Sequence, residues 1–203
     1  FGMSKFGRRI SDKNSAESAK REVAPELVKL VDYTDYEEGI YMGYRYFDTA
    51  GKPVSYPFGY GLSYTTFDYA LDQVAINGNE VVATVTIKNT GKVAGREVAQ
   101  LYVKAPKGTM AKPNKELKAF AKTKSLKPGE SQTLTLKFNT MDMASFNEKA
   151  SAWELAKGEY QFMLGANVSD IKAVSTQKIA KKQMQTVNNA MKPQVKINEI
   201  VLK

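Results

Sequence analysis

From Thr65 onward, apolar and polar residues alternate with a period of two. The clearest stretch is Glu80–Asn89, with Val81, Ala83, Val85 and Ile87 on one face and Thr84 and Thr86 on the other. Such alternation predicts a strand with one face in a core and one in water. Ser131–Phe138 repeats the pattern, with Leu134, Leu136 and Phe138 inward, and Thr66–Leu71 is a shorter version. Arg96–Ala105 sets Leu101 and Val103 against Val98 and Tyr102, and Lys115–Lys124 carries Leu117 and Phe120. Ala152–Glu154, Gly158–Gly165 and Lys172–Ala180 complete the set. Turn residues punctuate it, notably Asn89-Thr90-Gly91-Lys92 and Lys127-Pro128-Gly129-Glu130. Seven or eight short strands between turns predict a mainly β fold, an immunoglobulin-like antiparallel β-sandwich over residues 66–181. Tyr160 opens a late strand, the place of a tyrosine whose hydroxyl bonds back to upstream backbone. Trp153 is expected to fill the core.

Before Thr65 the period changes. Ile40, Gly43, Tyr44 and Phe47 fall at i, i+3, i+4 and i+7, and Asp35-Tyr36-Glu37-Glu38 has capping-box spacing. Together they predict a helix over Asp35–Asp48, stopped by Thr49-Ala50-Gly51-Lys52-Pro53. Residues 31–55 form one segment on this reading. Residues 56–65 form a linker, Tyr56-Pro57-Phe58-Gly59-Tyr60-Gly61-Leu62-Ser63-Tyr64. Its glycines and proline forbid a regular helix, while its five apolar or aromatic side chains predict a segment packed against something. Residues 1–30 stay unassigned apart from a weak helix over Ser11–Arg21, ended before Pro25. The opening Phe1–Ile10 has basic residues with no apolar stretch after them, unlike a secretory signal. No apolar run approaches the ~20 residues of a membrane-spanning helix.

Composition narrows the chemistry. The chain has neither cysteine nor histidine. A Ser-His-Asp or Cys-His arrangement cannot form within it, nor can a thiolate or imidazole metal site, and no cofactor is expected. The net charge of +9 is concentrated at one end. From Lys172 to Lys203 there are seven lysines and one acid, Glu199. Residues 182–203 therefore read as a basic, solvated tail, with Val195, Ile197 and Ile200 as material for one extra strand. Without arginine or aromatic residues, the tail is a poor match for nucleic acid. Binding to a polyanion through its lysines is a lesser alternative.

Few residues carry candidate chemistry. Asp32, Asp35, Glu37, Glu38 and Asp48 contain enough carboxylates for a glycosidase pair, which needs ~5–5.5 Å between carboxyls for retention and ~6.5–9.5 Å for inversion. Helix capping and a solvated helix face explain them more simply. Gly59-Tyr60-Gly61 lacks the rest of a phosphate loop and reads as loop geometry. Asn167-Val168-Ser169 matches a glycosylation sequon. Lys104, Lys107, Lys112, Lys115 and Lys118 read as a solvated strand edge. No catalytic, cofactor-binding or metal residue is assigned.

Several motifs, in order, resemble family 3 glycoside hydrolases of the β-glucosidase/β-xylosidase type. Asp35–Asp48 (DYEEGIYMGYRYFD) resembles a motif near the end of that family's α/β sandwich domain. Tyr56–Phe67 (YPFGYGLSYTTF) resembles its connector, and Val85–Val103 the core of its fibronectin type III-like domain. Lys115–Phe120, Leu126–Glu130 and Gly158–Tyr160 continue the match, which runs from about Val31 to Ile179. The resemblance implies a short helical remnant of the α/β sandwich followed by the β-sandwich. It also implies a parent enzyme that hydrolyses terminal β-linked glucose or xylose with retention, from a secreted or periplasmic location. Its nucleophile Asp and acid/base Glu would lie in domains that this sequence does not show, leaving the chain alone inactive. The implied partners are those catalytic domains, through them a carbohydrate substrate, and a second copy of the chain, with no membrane. A stand-alone carbohydrate-binding module is the alternative, with Tyr102 and Trp153 as candidate platforms.

Overall fold

The computed structural model describes residues 5–7, 33–188, 190 and 196–202. Strand β1 (Lys5–Gly7) pairs antiparallel with β2 (Tyr33–Asp35). The helix expected over Ser11–Arg21 lies outside the described residues. A single short helix, α1 (Tyr44–Thr49), comes next. The chain then runs through β3 (Phe67–Asn77), β4 (Glu80–Asn89), β5 (Val98–Lys104), β6 (Glu116–Lys122) and β7 (Ser131–Asn139). A 3-10 turn, Thr140–Met143, leads to β8 (Ser145–Asn147), β9 (Ala152–Leu155), β10 (Gly158–Asn167), β11 (Asp170–Ile179) and β12 (Gln183–Thr186).

Two antiparallel sheets, β3-β4-β7 and β11-β10-β5-β6, enclose the core. The first contributes Val81, Val85, Ile87, Leu136 and Phe138, and the second Leu101, Val103, Phe162 and Leu164. Each such side chain contributes about 1.5–3 kcal/mol when fully buried. The period-two alternation of β4 and β7 is thus the inner face of a sandwich, and the fold is mainly β as the sequence predicts. β5 departs from the alternation, because Ala99 through Val103 are all buried. Its outer face lies under the helix and linker that precede the sandwich.

Two polar anchors close the ends. Asn89 is fully buried at the end of β4. Its amide nitrogen donates to the carbonyls of Val93 and Leu126, both at 2.8 Å, and its oxygen accepts from Thr65 Oγ1 at 2.7 Å. The turn residue read from the sequence therefore ties three loops together. Tyr160 donates its hydroxyl to the Ala156 carbonyl at 3.0 Å, forming the expected tyrosine corner. Burial pushes that phenol up to about 12.

The helix is shorter than its apolar stripe predicts. Gly39 and Gly43 sit at φ +53° and +57°. Those left-handed conformations interrupt a right-handed helix twice, so residues 37–40 form a turn and the helix starts only at Tyr44. Its N-cap is Gly43, with no side-chain cap, so the expected Asp35 and Glu38 capping box does not cap this helix. The supposed solvated tail is also partly structured. Gln183–Thr186 pairs with β9, building the three-stranded sheet β12-β9-β8. Residues 196–200 form no strand, although the Ile200 amide donates to the Glu37 carbonyl at 2.7 Å.

Candidate docking surface

The helix and linker are fastened to the sandwich by polar contacts that the sequence pattern does not announce. Asp48, near the end of α1, receives Lys115 Nζ at 2.6 Å and Asn114 Nδ2 at 2.9 Å. Both members of the ion pair are largely buried, so their attraction is offset by the cost of desolvation, and removing either would leave the other an uncompensated charge out of water. The Asn114 amide donates to Thr49 Oγ1, and the Leu117 amide donates to the Tyr44 hydroxyl, each at 2.9 Å. Arg45 reaches Glu116 at 3.4 Å. Thus α1 lies against β6 and the loop before it. The Tyr44 ring stacks on Phe58 at 4.3 Å and 18° and meets Tyr102 edge-on at 6.4 Å.

Gln100, at the centre of β5, pins the linker. Its amide nitrogen donates to the Gly59 carbonyl at 3.1 Å and the Ala166 carbonyl at 2.5 Å. Its oxygen accepts the Tyr102 hydroxyl at 2.6 Å. Burial is the main cause that pushes the Tyr102 phenol far above its usual range, with the Tyr44 and Asp48 charges adding to it. The Val168 amide donates to the Phe58 carbonyl at 3.0 Å, a further tie. Gly59-Tyr60-Gly61 is a loop latched by its backbone, as its reading as loop geometry requires.

The linker's side chains tell a different story from its backbone. Tyr56, Phe58, Tyr60, Leu62 and Tyr64 are all exposed, Tyr64 completely (100%). The segment is packed against the sandwich through its backbone and the Phe58–Tyr44 stack, but its aromatic and apolar side chains keep large exposed surfaces. Phe120 lies on β6, within the strand expected over Lys115–Lys124, and is 67% exposed. It borders a groove of about 640 Å³ that Phe58, Tyr60 and Leu62 wall on the other side. Arg96, Glu97, Lys122 and Asp170 supply a charged lining of mixed sign. A pinned backbone presenting contiguous apolar side chains with a charged border has the anatomy of a preformed protein interface.

The remaining sequence candidates fall as follows. Asp48 is committed to Lys115 and Asn114, and one oxygen of Glu38 is buried without a hydrogen-bond partner among the described residues. Asp32 lies outside the described residues, and of Asp35 only the backbone is described. The lysine run is a solvated edge only in part: Lys107 is exposed and Lys104 and Lys118 are half-buried. Lys115 is buried in its ion pair, and Lys112 Nζ is buried with no hydrogen-bond partner among the described residues, where burial lowers its pKa. Of the two aromatic candidates, Tyr102 is fully buried, whereas Trp153 is 44% exposed and does not fill the core. It lies on the small β12-β9-β8 sheet, outside the main core. The Asn167 side chain accepts from the Ser169 and Asp170 amides, each at 2.9 Å, making the sequon a turn. The sequence marks neither Gln100 as the anchor of the linker nor Phe120 as bare, because nothing in an alternating strand says which outward positions are covered.

Comparison with known proteins places this geometry. Residues 97–168 match the fibronectin type III-like domain. The chain is 49% identical over 161 residues to β-glucosidase A of Butyrivibrio fibrisolvens, covering 68% of this chain and 19% of that protein. It is 44% identical over 140 residues to an exo-α-(1→6)-L-arabinopyranosidase of Bifidobacterium longum, covering 68% of this chain and 18% of that one. Among solved structures, β-glucosidase 3B of Thermotoga neapolitana superposes with a TM-score of 0.72 at 46% identity, over 75% of this chain and 21% of that chain. The chain thus spans about a fifth of the length of these relatives. With its β-sandwich, short preceding helix and pinned linker, it corresponds to the fibronectin type III-like C-terminal region of the family 3 glycoside hydrolases.

Proposed function

We propose that this chain is the accessory C-terminal segment of a family 3 β-glycosidase acting on terminal β-linked glucose or xylose. It supports the catalytic domains by docking them against the linker and the Phe120 face. The observation that carries this reading is the contrast within residues 56–64. The backbone is latched by Gln100 and Val168, yet Tyr56, Tyr60, Leu62 and Tyr64 remain exposed. Latching limits the ordering entropy lost on association, while the exposed rings supply the apolar area that drives it. Catalysis then belongs to the preceding domains, and the chain's role is to hold their arrangement.

The test is reconstitution. The purified chain is mixed with the separately expressed catalytic portion of the parent enzyme, followed by sedimentation and aryl β-glucoside hydrolysis. The chain alone gives no turnover, the mixture forms a one-to-one complex, and Phe120→Asp weakens that complex while leaving the sandwich folded. Turnover by the chain alone, abolished by Glu37→Gln, Glu38→Gln or Asp48→Asn, would instead place an active site here.

A further inference from the structure

The small sheet β12-β9-β8 carries an arrangement that the docking surface does not use. Phe146, Trp153 and Gln185 are direct cross-strand partners on its three adjacent strands. They form one row across one face of the sheet. The Phe146 and Trp153 rings meet at 5.4 Å and 63°, an edge-type contact that braces one ring against the other. Both rings are about two-fifths exposed, at 42% and 44%. Beside the row lies a cleft of about 460 Å³, lined by Trp153 and Gln185 and by Lys118, Met141 and Asp142. Its size falls within the ~300–1,000 Å³ typical of small-ligand sites.

The polar lining narrows the ligand. Lys118 shares its ammonium with Glu116 at 3.2 Å. Asp142 uses one oxygen to accept the Asn139 amide at 2.9 Å and keeps the other. The Gln185 amide has no hydrogen-bond partner among the described residues, so both its donor and its acceptor are available. With Lys118 already paired to Glu116, Asp142 leaves the cleft at most weakly negative, which disfavours an anionic ligand. An amide, a carboxylate oxygen and an ammonium around a braced indole face suit a molecule with one apolar C–H face and a rim of hydroxyls. A pyranose ring has that form: its axial C–H groups stack on the indole while neighbouring hydroxyls both donate and accept.

We propose that the Phe146–Trp153–Gln185 row is a binding platform for a pyranose unit of a neutral oligosaccharide or polysaccharide. Trp153 supplies the stacking face, Phe146 sets its orientation, and Gln185, Asp142 and Lys118 take the hydroxyls. The aromatic row stands on a different sheet from the docking groove, and only Lys118 comes from β6, whose Phe120 borders that groove, so sugar binding to the row is read separately from docking.

The protein provides its own reporter, since Trp153 is the chain's one tryptophan. The full chain is titrated with a β-1,4-linked glucose tetramer, a β-1,3-linked glucose tetramer and, as a polyol control, glycerol, while indole fluorescence is followed. A saturable shift with at least one tetramer, and only a linear response to glycerol, is expected. Gln185→Ala should weaken that binding by about fivefold, the worth of one hydrogen bond, with an unchanged circular dichroism spectrum and melting temperature. Trp153→Ala should abolish it by calorimetry. The proposal is overturned if neither tetramer gives a saturable shift, or if Gln185→Ala binds as tightly as the parent. It is equally overturned if the indole responds only when the catalytic domains are added, which would make this face a protein contact.

Discussion

Replacing Gln100 with leucine tests whether the linker is latched by chemistry or merely lies beside the sandwich. Leucine roughly keeps the side-chain volume and removes all three hydrogen bonds. The Tyr102 hydroxyl then has no partner in a fully buried site, while the Gly59 carbonyl is near water and the Ala166 carbonyl is partly so. A buried orphaned hydroxyl costs about 1–3 kcal/mol, and each carbonyl that turns to water loses about 0.5–1 kcal/mol. The sum is about 2–5 kcal/mol, a large share of the ~5–15 kcal/mol that a domain possesses. For a chain of this size it lowers the melting temperature by about 4–20 °C, at ~2–4 °C per kcal/mol. Urea denaturation gives the free energy, and amide exchange at Val168, bonded to the Phe58 carbonyl, gives the local effect. Adding Tyr102→Phe removes the orphaned hydroxyl, so the double variant should be more stable than Gln100→Leu alone. A Gln100→Leu cost under about 1 kcal/mol, or strict additivity with Tyr102→Phe, would refute the reasoning.

Three further outcomes follow from the same physics. Asp48→Ala leaves Lys115 charged and largely buried, and should cost about 3–5 kcal/mol, with early proteolytic cleavage around α1 as the local signature. Lys112→Met removes an ammonium buried without a hydrogen-bond partner among the described residues, so it should raise the melting temperature at pH 7. Because burial holds the Lys112 pKa below that of the unfolded chain, its penalty is fully present below the folded pKa and vanishes as pH rises to the ordinary lysine value. The advantage of Lys112→Met over the parent should shrink over that same window in paired thermal melts. Tyr160→Phe should cost about 1 kcal/mol near neutral pH for the lost corner bond. The Tyr160 pKa is raised from 10.0 to about 12, so its stabilising share is intact below the lower value and lost as pH rises through the upper one. Alkaline melts should therefore show Tyr160→Phe closing on, or overtaking, the parent across that range.

The sandwich was legible because strand burial is a local, periodic property. Once Val81, Val85 and Ile87 must avoid water, their spacing leaves only one face for them, and turn residues mark where each strand stops. The tyrosine corner at Tyr160 was legible for a similar reason, since its bond closes within four residues. The helix before the linker was misjudged in extent because periodicity counts apolar positions and does not see backbone sign. Gly43 satisfies the spacing and Gly39 lies within the span expected to be helical, yet both adopt positive φ.

The surface is where sequence and tertiary structure part. By itself the sequence determined the mainly β fold and which strands could share a core, because those follow from side-chain period and turn chemistry along the chain. It also ruled out thiol and imidazole chemistry within the chain, by composition alone. Only the tertiary structure decided which apolar residues stay bare. Phe120 and Leu101 both sit in apolar-rich strands, yet one is exposed and the other sealed between sheets. Tyr102 and Trp153 are both aromatics on strands, yet one is covered by α1 and the linker while the other stands on a small sheet that includes part of the supposed tail. Exposure depends on what distant segments bring over a residue, and those contacts span tens of positions in the chain. Local pattern carries no record of them.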